Sequence, residues 1–98
     1  MKDFRIYTNK GFQLTFENGL TISVMFGTGN YCENRGASIE DFGKAIDSSN
    51  DAEIAIWDKK DNWFDFGGNT VKGWVSSNEV AKWINKVSTA ASLTEINI

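Results

Sequence analysis

Hydrophobic and polar residues alternate along two segments, residues 12–16 (FQLTF) and residues 20–26 (LTISVMF). A period of two is typical of strands that bury one face of a sheet. Asn18 and Gly19 suggest a two-residue turn, but that register would place the two hydrophobic sets on opposite faces. A three-residue connection with a left-handed Gly19 places both sets on one face. It predicts the pairs Phe16–Leu20, Leu14–Ile22 and Phe12–Val24.

A second hairpin is predicted from residues 53–57 (EIAIW) and 63–66 (WFDF), with Trp57 opposite Trp63. This register also places Ile56 opposite Phe64 and Ile54 opposite Phe66, so that the residues on each face match. Further strands are predicted at residues 4–7 and 70–75, which brings the total to about six. In the last of these, Gly73 marks a bulge or the close approach of another segment.

A helical pattern begins at Ser76, whose spacing from Glu79 is that of a capping box. Its apolar positions form one stripe, and Lys82 and Lys86 are expected to face water. The stripe consists of Val80, Trp83, Ile84 and Val87. We therefore predict a single α+β domain over residues 1–98, an antiparallel sheet with a C-terminal helix packed on one face.

The segment at residues 27–51 is predicted to be a long glycine-rich loop, interrupted by a short helix at residues 38–46. Connections of this length are uncommon in so small a domain, and ordered ones tend to be functional. Residues 91–98 form a short strand or an extended arm. That arm either folds back on its own sheet or docks on another subunit, so a homo-oligomer remains an open alternative.

The composition excludes most catalytic chemistry. The 98 residues contain no histidine and one cysteine, which excludes Cys-His nucleophilic pairs and tetrahedral zinc sites. Asp58, Asp61 and Asp65 crowd one hairpin, but solvated turn acids explain them better than a glycosidase pair or a calcium site. We therefore predict a protein that is not an enzyme, with no catalytic residue, metal or cofactor.

The net charge of -3 is unevenly distributed, because residues 33–65 hold an excess of acidic groups. A protein that binds duplex nucleic acid would carry a basic stripe, and the sequence has none. The acidic region favours either a solvated surface or a basic protein partner. No apolar run approaches the ~18 residues of a membrane span, and the N-terminus lacks the apolar core of a signal peptide. A reducing cytosol is the expected location.

The candidate ligand site is the loop at residues 26–36 (FGTGNYCENRG) together with the tryptophans of the second hairpin. Aromatic rings stack on flat ligands, amides recognise base edges and a guanidinium binds phosphate. The six predicted ligand-binding residues are Asn30, Tyr31, Asn34, Arg35, Trp57 and Trp63. Cys32 is either a thiol activated by Arg35 or, more often for a lone cysteine, a small buried hydrophobe.

Three segments carry a resemblance to a known group: residues 18–35, residues 52–58 (AEIAIWD) and residues 71–76 (VKGWVS). The chain resembles small phage-encoded accessory proteins of anti-defence type, mostly uncharacterised, over about residues 12–88. The most specific part is the motif G-x-G-N-Y-C-x-N-R. The resemblance implies no catalytic residue; it implies a counter-defence role in the cytosol of a bacterial host.

Two hypotheses follow. In the first, the protein sequesters a small nucleotide-type immune signal, with aromatic stacking, Arg35 on phosphate, and Asn30 and Asn34 on the base. In the second, it inhibits a host defence protein directly through the acidic region between Glu33 and Asp65, as anti-CRISPR-like proteins do. An enzyme that turns over a nucleotide ranks last.

Overall fold

The computed structural model describes residues 2–8, 10–36 and 48–97. Within them, five strands form one antiparallel sheet and a single α-helix packs on it. The elements are β1 (Asp3–Tyr7), β2 (Gly11–Thr15), β3 (Thr21–Met25), β4 (Asp51–Trp57), β5 (Lys72–Ser76) and α1 (Ser77–Thr89). No helix in these residues is long and apolar enough to cross a membrane.

The strands lie in chain order, and the first hairpin has the predicted register. Leu14 lies opposite Ile22 and Phe12 opposite Val24, and Phe16 donates its N–H to the carbonyl of Leu20. Gly19 closes the connection with a φ of 86°, the left-handed conformation that the three-residue turn requires. The hydrophobic pattern therefore determined both the pairing and the face that is buried.

The predicted second hairpin is wrong in part, because residues 63–66 do not form a strand. Trp57 and Trp63 meet in a single isolated bridge, and Phe64 donates one N–H bond to Ile56. The chain then turns, since Asp65 accepts the N–H groups of the two glycines that follow it. Strand β5 takes the place beside β4, where Ile54 pairs with Lys72 instead of the predicted Phe66. Among the described residues the sheet consequently has five strands, where about six were predicted.

Helix α1 begins as predicted. The Ser76 hydroxyl accepts the N–H of Glu79 at 3.3 Å, which satisfies one of the free N–H groups of the first turn. Trp83 and Val87 are buried against the sheet, and Val80 and Ile84 pack beside them. Lys86 differs from the expectation: its ammonium lies 4.7 Å from the Trp83 ring centroid and the residue is half-buried.

The core lies on the helix side of the sheet, where it includes the buried side chains of Ile22, Ile54 and Ile56. The C-terminal segment folds back onto this core. A 3₁₀ turn at Leu93–Glu95 stands where a short strand or an extended arm was predicted, and Ile96, which follows it, is buried in this core. The predicted short helix at residues 38–46 and the terminal Ile98 lie outside the described residues.

The side chain of Asn18 joins the first hairpin to the end of the helix. Its amide nitrogen donates to the carbonyls of Val87 at 2.7 Å and Ala90 at 2.8 Å, and its oxygen accepts the N–H of Leu20 at 3.0 Å. The last carbonyls of a helix lack the usual partner one turn further on. The Val87 carbonyl also accepts the N–H of Ala90 at 3.4 Å, and the Asn18 amide adds a bond to it and supplies a partner to the Ala90 carbonyl.

Replacing Asn18 by alanine is expected to lower the free energy of unfolding by about 1–3 kcal/mol, because the Ala90 carbonyl and the Leu20 N–H lose their partner. Urea denaturation followed by circular dichroism measures the loss. Asn78→Ala is the matched control, since Asn78 is exposed on the same helix, and a change below about 0.5 kcal/mol is expected for it. Equal losses for both variants would contradict the bridging role.

Candidate functional site

The loop at residues 26–36 is attached to the sheet face opposite the helix, here called the open face. Glu53 of β4 points to this face and accepts two bonds from the loop. The N–H of Tyr31 donates to it at 2.8 Å and the amide of Asn30 at 3.3 Å. Asn30 also accepts the N–H of Gly27 at 3.1 Å. The carboxylate of Glu53 therefore fixes the position of Tyr31 over the sheet.

The second half of the loop is held by three further bonds. Asn34 donates its amide to the carbonyl of Phe26 at 2.8 Å and to that of Ser48 at 3.1 Å. The N–H of Glu33 donates to Asp51 at 2.7 Å, at the start of a 3₁₀ turn at Glu33–Gly36. The amides of Asn30 and Asn34 are thus engaged in holding the loop.

Tyr31, Arg35 and Trp74 lie together, and we call them the Tyr31 patch. The rings of Tyr31 and Trp74 are 5.7 Å apart with an interplanar angle of 36°, and the guanidinium carbon of Arg35 lies 4.8 Å from the Tyr31 centroid. Tyr31 is 42% exposed and Trp74 58%. The patch presents two aromatic rings and one cation to solvent, which is the arrangement that stacks on flat anions.

Gly73 makes this contact possible. A Cβ atom at Gly73 would lie 2.6 Å from the Cβ of Tyr31, so any larger residue would displace the ring. The N–H of Trp74 donates to the Tyr31 carbonyl at 2.8 Å, and the register of β4 and β5 shifts at the same place. Both predicted roles of Gly73, a bulge and a close approach, are confirmed.

Trp74 has a φ of 50°, which is an uncommon conformation for a bulky residue. Such a conformation costs on the order of 1–3 kcal/mol and persists where the surroundings enforce it, frequently at functional sites. Here the bulge turns the indole out of the strand and onto Tyr31. The sequence analysis did not include Trp74 among the site residues; the signal for it was its position directly after Gly73.

The predicted site residues fall into two groups. Trp57 and Trp63 stack on each other, with centroids 4.7 Å apart and an angle of 31°. Trp57 faces the open side, but it lies four residues beyond Glu53 on β4, about 13 Å along the strand. The structure therefore brings Asn30, Tyr31 and the loop together and leaves the tryptophan pair at the other end of β4.

The carboxylates of Asp58 and Asp65 accept hydrogen bonds from residues of their own turns. Asp58 accepts from the side chain and N–H of Asn62, and these bonds hold the pKa of its carboxyl below the usual range. The N–H groups of Gly68 and Gly67 lower the pKa of Asp65 in the same way. Among the described residues, no cluster of carboxylate or thiol groups could hold a metal ion.

Cys32 is buried, and its thiol lies 3.7 Å from the carbonyl of Gly27. Burial raises the pKa of the thiol, which opposes formation of the reactive thiolate at neutral pH. Of the two alternatives for this residue, the geometry favours the small buried hydrophobe.

An apolar recess of about 230 Å³ lies on the helix side of the sheet, where its lining includes Phe12, Phe26 and Val80. The sheet separates this recess from Glu53, to which the Tyr31 patch is attached. The recess and the patch are therefore different surfaces. Comparison of the chain with protein-family models, with curated proteins and with solved structures gave no match.

Proposed function

We propose that this protein binds a small nucleotide-type ligand at the Tyr31 patch and sequesters it without chemical change. The observation that carries the proposal is the combination of two exposed rings in tilted contact with a guanidinium over one of them. A base or similar flat ring stacks on Trp74 and Tyr31, and Arg35 binds a phosphate.

The fixed position of the loop supports this assignment. The side chains of Asn30, Asn34 and Glu53 hold the loop in place through hydrogen bonds. Tyr31 and Arg35 therefore lose little conformational entropy when a ligand binds. The proposal assigns the two asparagines to positioning, in place of the base contacts predicted from the sequence. Among the described residues, Arg35 forms no ion pair, which leaves its guanidinium available to a phosphate.

Sequestration suits this surface better than turnover. The chain has no histidine, and Glu53, which lies next to the patch, is engaged by two loop donors. The resemblance to phage anti-defence proteins supplies the context. In that context, the ligand is a nucleotide immune signal and the place of action is the bacterial cytosol.

The test is native mass spectrometry and titration calorimetry of the purified chain with a panel of cyclic nucleotides and cyclic ADP-ribose derivatives. A stoichiometric ligand, released intact on denaturation, is expected. Arg35→Ala should weaken binding roughly 10- to 150-fold, because a charge-assisted bond to phosphate is lost. An unchanged affinity for Arg35→Ala would remove Arg35 from the site, and a modified ligand would contradict sequestration.

Trp74→Gly is the sharper variant, because glycine adopts a φ of 50° without strain. Affinity should fall roughly 5- to 150-fold with the loss of one stacking ring, while the free energy of unfolding changes by no more than about 1 kcal/mol. Trp63→Ala removes an exposed tryptophan of the other pair. A loss of affinity in Trp63→Ala and not in Trp74→Gly would place the ligand on Trp57 and Trp63.

A second candidate, direct inhibition of a basic host protein, is favoured by one observation. Among the described residues, the acidic groups between Glu33 and Asp65 form no ion pair, and Asp58 and Asp65 have lowered pKa values that keep them charged. Capture of such a partner should weaken with added salt. Pull-downs that are empty at low salt would contradict this candidate.

A further inference from the structure

We propose that two copies of this chain associate through the free edge of β1, in antiparallel register, to form one continuous ten-stranded sheet. β1 is at the end of the sheet, and among the described residues no strand pairs with its outer edge. Free edges carry unpaired backbone groups that accept another strand, and sheets commonly protect them. The other end strand, β5, is interrupted by the bulge at Gly73 and Trp74.

Two side chains of β1 suit an interface. Phe4 and Ile6 are each 80% exposed, although they lie on the helix side of the sheet. Their neighbours on β2 are half-buried Leu14 and Phe12. Since α1 packs on β3, β4 and β5, it does not cover this apolar strip. Contiguous exposed apolar surface of this kind marks a site of association.

The backbone groups of β1 fit the same pairing. The carbonyl of Tyr7 accepts the N–H of Lys10 at 3.0 Å, so Tyr7 directs its backbone groups toward β2. Backbone direction alternates along a strand, so Phe4 and Ile6 direct their N–H and C=O groups outward. A two-fold axis at Phe4 lets the two copies of this residue exchange both of their backbone hydrogen bonds.

Charge selects this register. With the axis at Phe4, Asp3 of each copy lies opposite Arg5 of the other, and the two form a non-hydrogen-bonded pair with closely spaced side chains. An axis at Arg5 would place the two guanidinium groups opposite each other, which is unfavourable. An axis at Ile6 would place Phe4 opposite Thr8, beyond the end of the strand. The choice of a second copy as the occupant rests on this self-complementarity.

The test is sedimentation equilibrium of the whole chain over a series of concentrations, for which a concentration-dependent dimer is expected. Asp3→Arg and Arg5→Asp each place like charges opposite each other twice, and each should weaken the dimer about tenfold. An equimolar mixture of the two variants should regain the affinity, because every pair then has opposite signs. Phe4→Ser should weaken the dimer through the apolar strip.

All three side-chain changes are at exposed positions, so circular dichroism should show an unchanged fold and an unchanged urea transition. The proposal would be overturned by a wild-type chain that stays monomeric up to its solubility limit. That outcome would indicate that the apolar strip of β1 binds a strand of another protein. Equal dimerisation of both charge variants and the wild type, or a mixture that recovers nothing, would also overturn it. None of these outcomes depends on the ligand proposed for the Tyr31 patch.

Discussion

Replacing Trp83 by alanine is expected to lower the free energy of unfolding by about 3–5 kcal/mol. Trp83 is buried between the helix and the sheet, with its ring 5.9 Å from that of Phe64 and 5.1 Å from that of Phe66, both edge to face. The substitution removes a large buried surface and leaves a cavity against two other aromatic rings. A domain of this size is stable by only about 5–15 kcal/mol, so the variant loses a large part of its stability.

Urea denaturation followed by far-ultraviolet circular dichroism measures this loss without relying on tryptophan emission. Trp63→Ala is the matched control: the same atoms are removed from a ring that is 47% exposed and stacks on Trp57. A loss of about 0.5–1.5 kcal/mol is expected for the control, which is the value of one aromatic pair. A comparable loss in the two variants would show that Trp83 does not anchor the core.

The aromatic cluster around Trp83 also explains where prediction of the fold from sequence failed. The alternating pattern of residues 12–26 and the capping box at Ser76 are local signals, and both gave the observed elements. Residues 63–66 alternate equally well, but Phe64 and Phe66 are used to contact Trp83, nineteen and seventeen residues further along the chain. A short alternating segment cannot distinguish a paired strand from an extended segment whose side chains reach the core.

Prediction of the site has a similar limit. The composition of residues 26–36 identified Tyr31 and Arg35, which do lie together. It did not show that Asn30 and Asn34 bond to Glu53, Phe26 and Ser48, because an amide is equally suited to a ligand and to the backbone. Trp74 joins the site through a bulge, and only the three-dimensional register shift between β4 and β5 reveals where its ring points.

The other large effect is expected at Gly11, the first residue of β2. Gly11 is buried between Tyr7 of β1 and Met25 of β3, with a φ of 151°. A Cβ atom at this position would lie 2.1 Å from the carbonyl oxygen of Val24 and 2.8 Å from the Cα of Met25. Both of these atoms belong to the backbone of β3, so no side-chain rotation can relieve the overlap.

Gly11→Ala is therefore expected to lower the free energy of unfolding by roughly 2–6 kcal/mol, the sum of about 1–3 for backbone strain and about 1–3 for overpacking. Gly67→Ala is the control, because Gly67 has a φ of 115° with no atom within 4 Å of an added Cβ, and it should show the strain alone. Gly36→Ala, with open space and no positive φ, should be nearly neutral. Urea denaturation of the three variants separates the two contributions.

The Gly11 substitution should also loosen the candidate ligand site, because β3 leads directly into the loop that carries Tyr31. The carbonyl of Lys10, next to Gly11, accepts the N–H of Phe26 at 2.6 Å. The carbonyl of Phe26 in turn accepts a hydrogen bond from the side-chain amide of Asn34. Separation of β2 from β3 at this end would break the first of these bonds and increase amide exchange at Phe26. Equal stability of Gly11→Ala and Gly67→Ala, with exchange at Phe26 unchanged, would show that the close approach at Gly11 is not required.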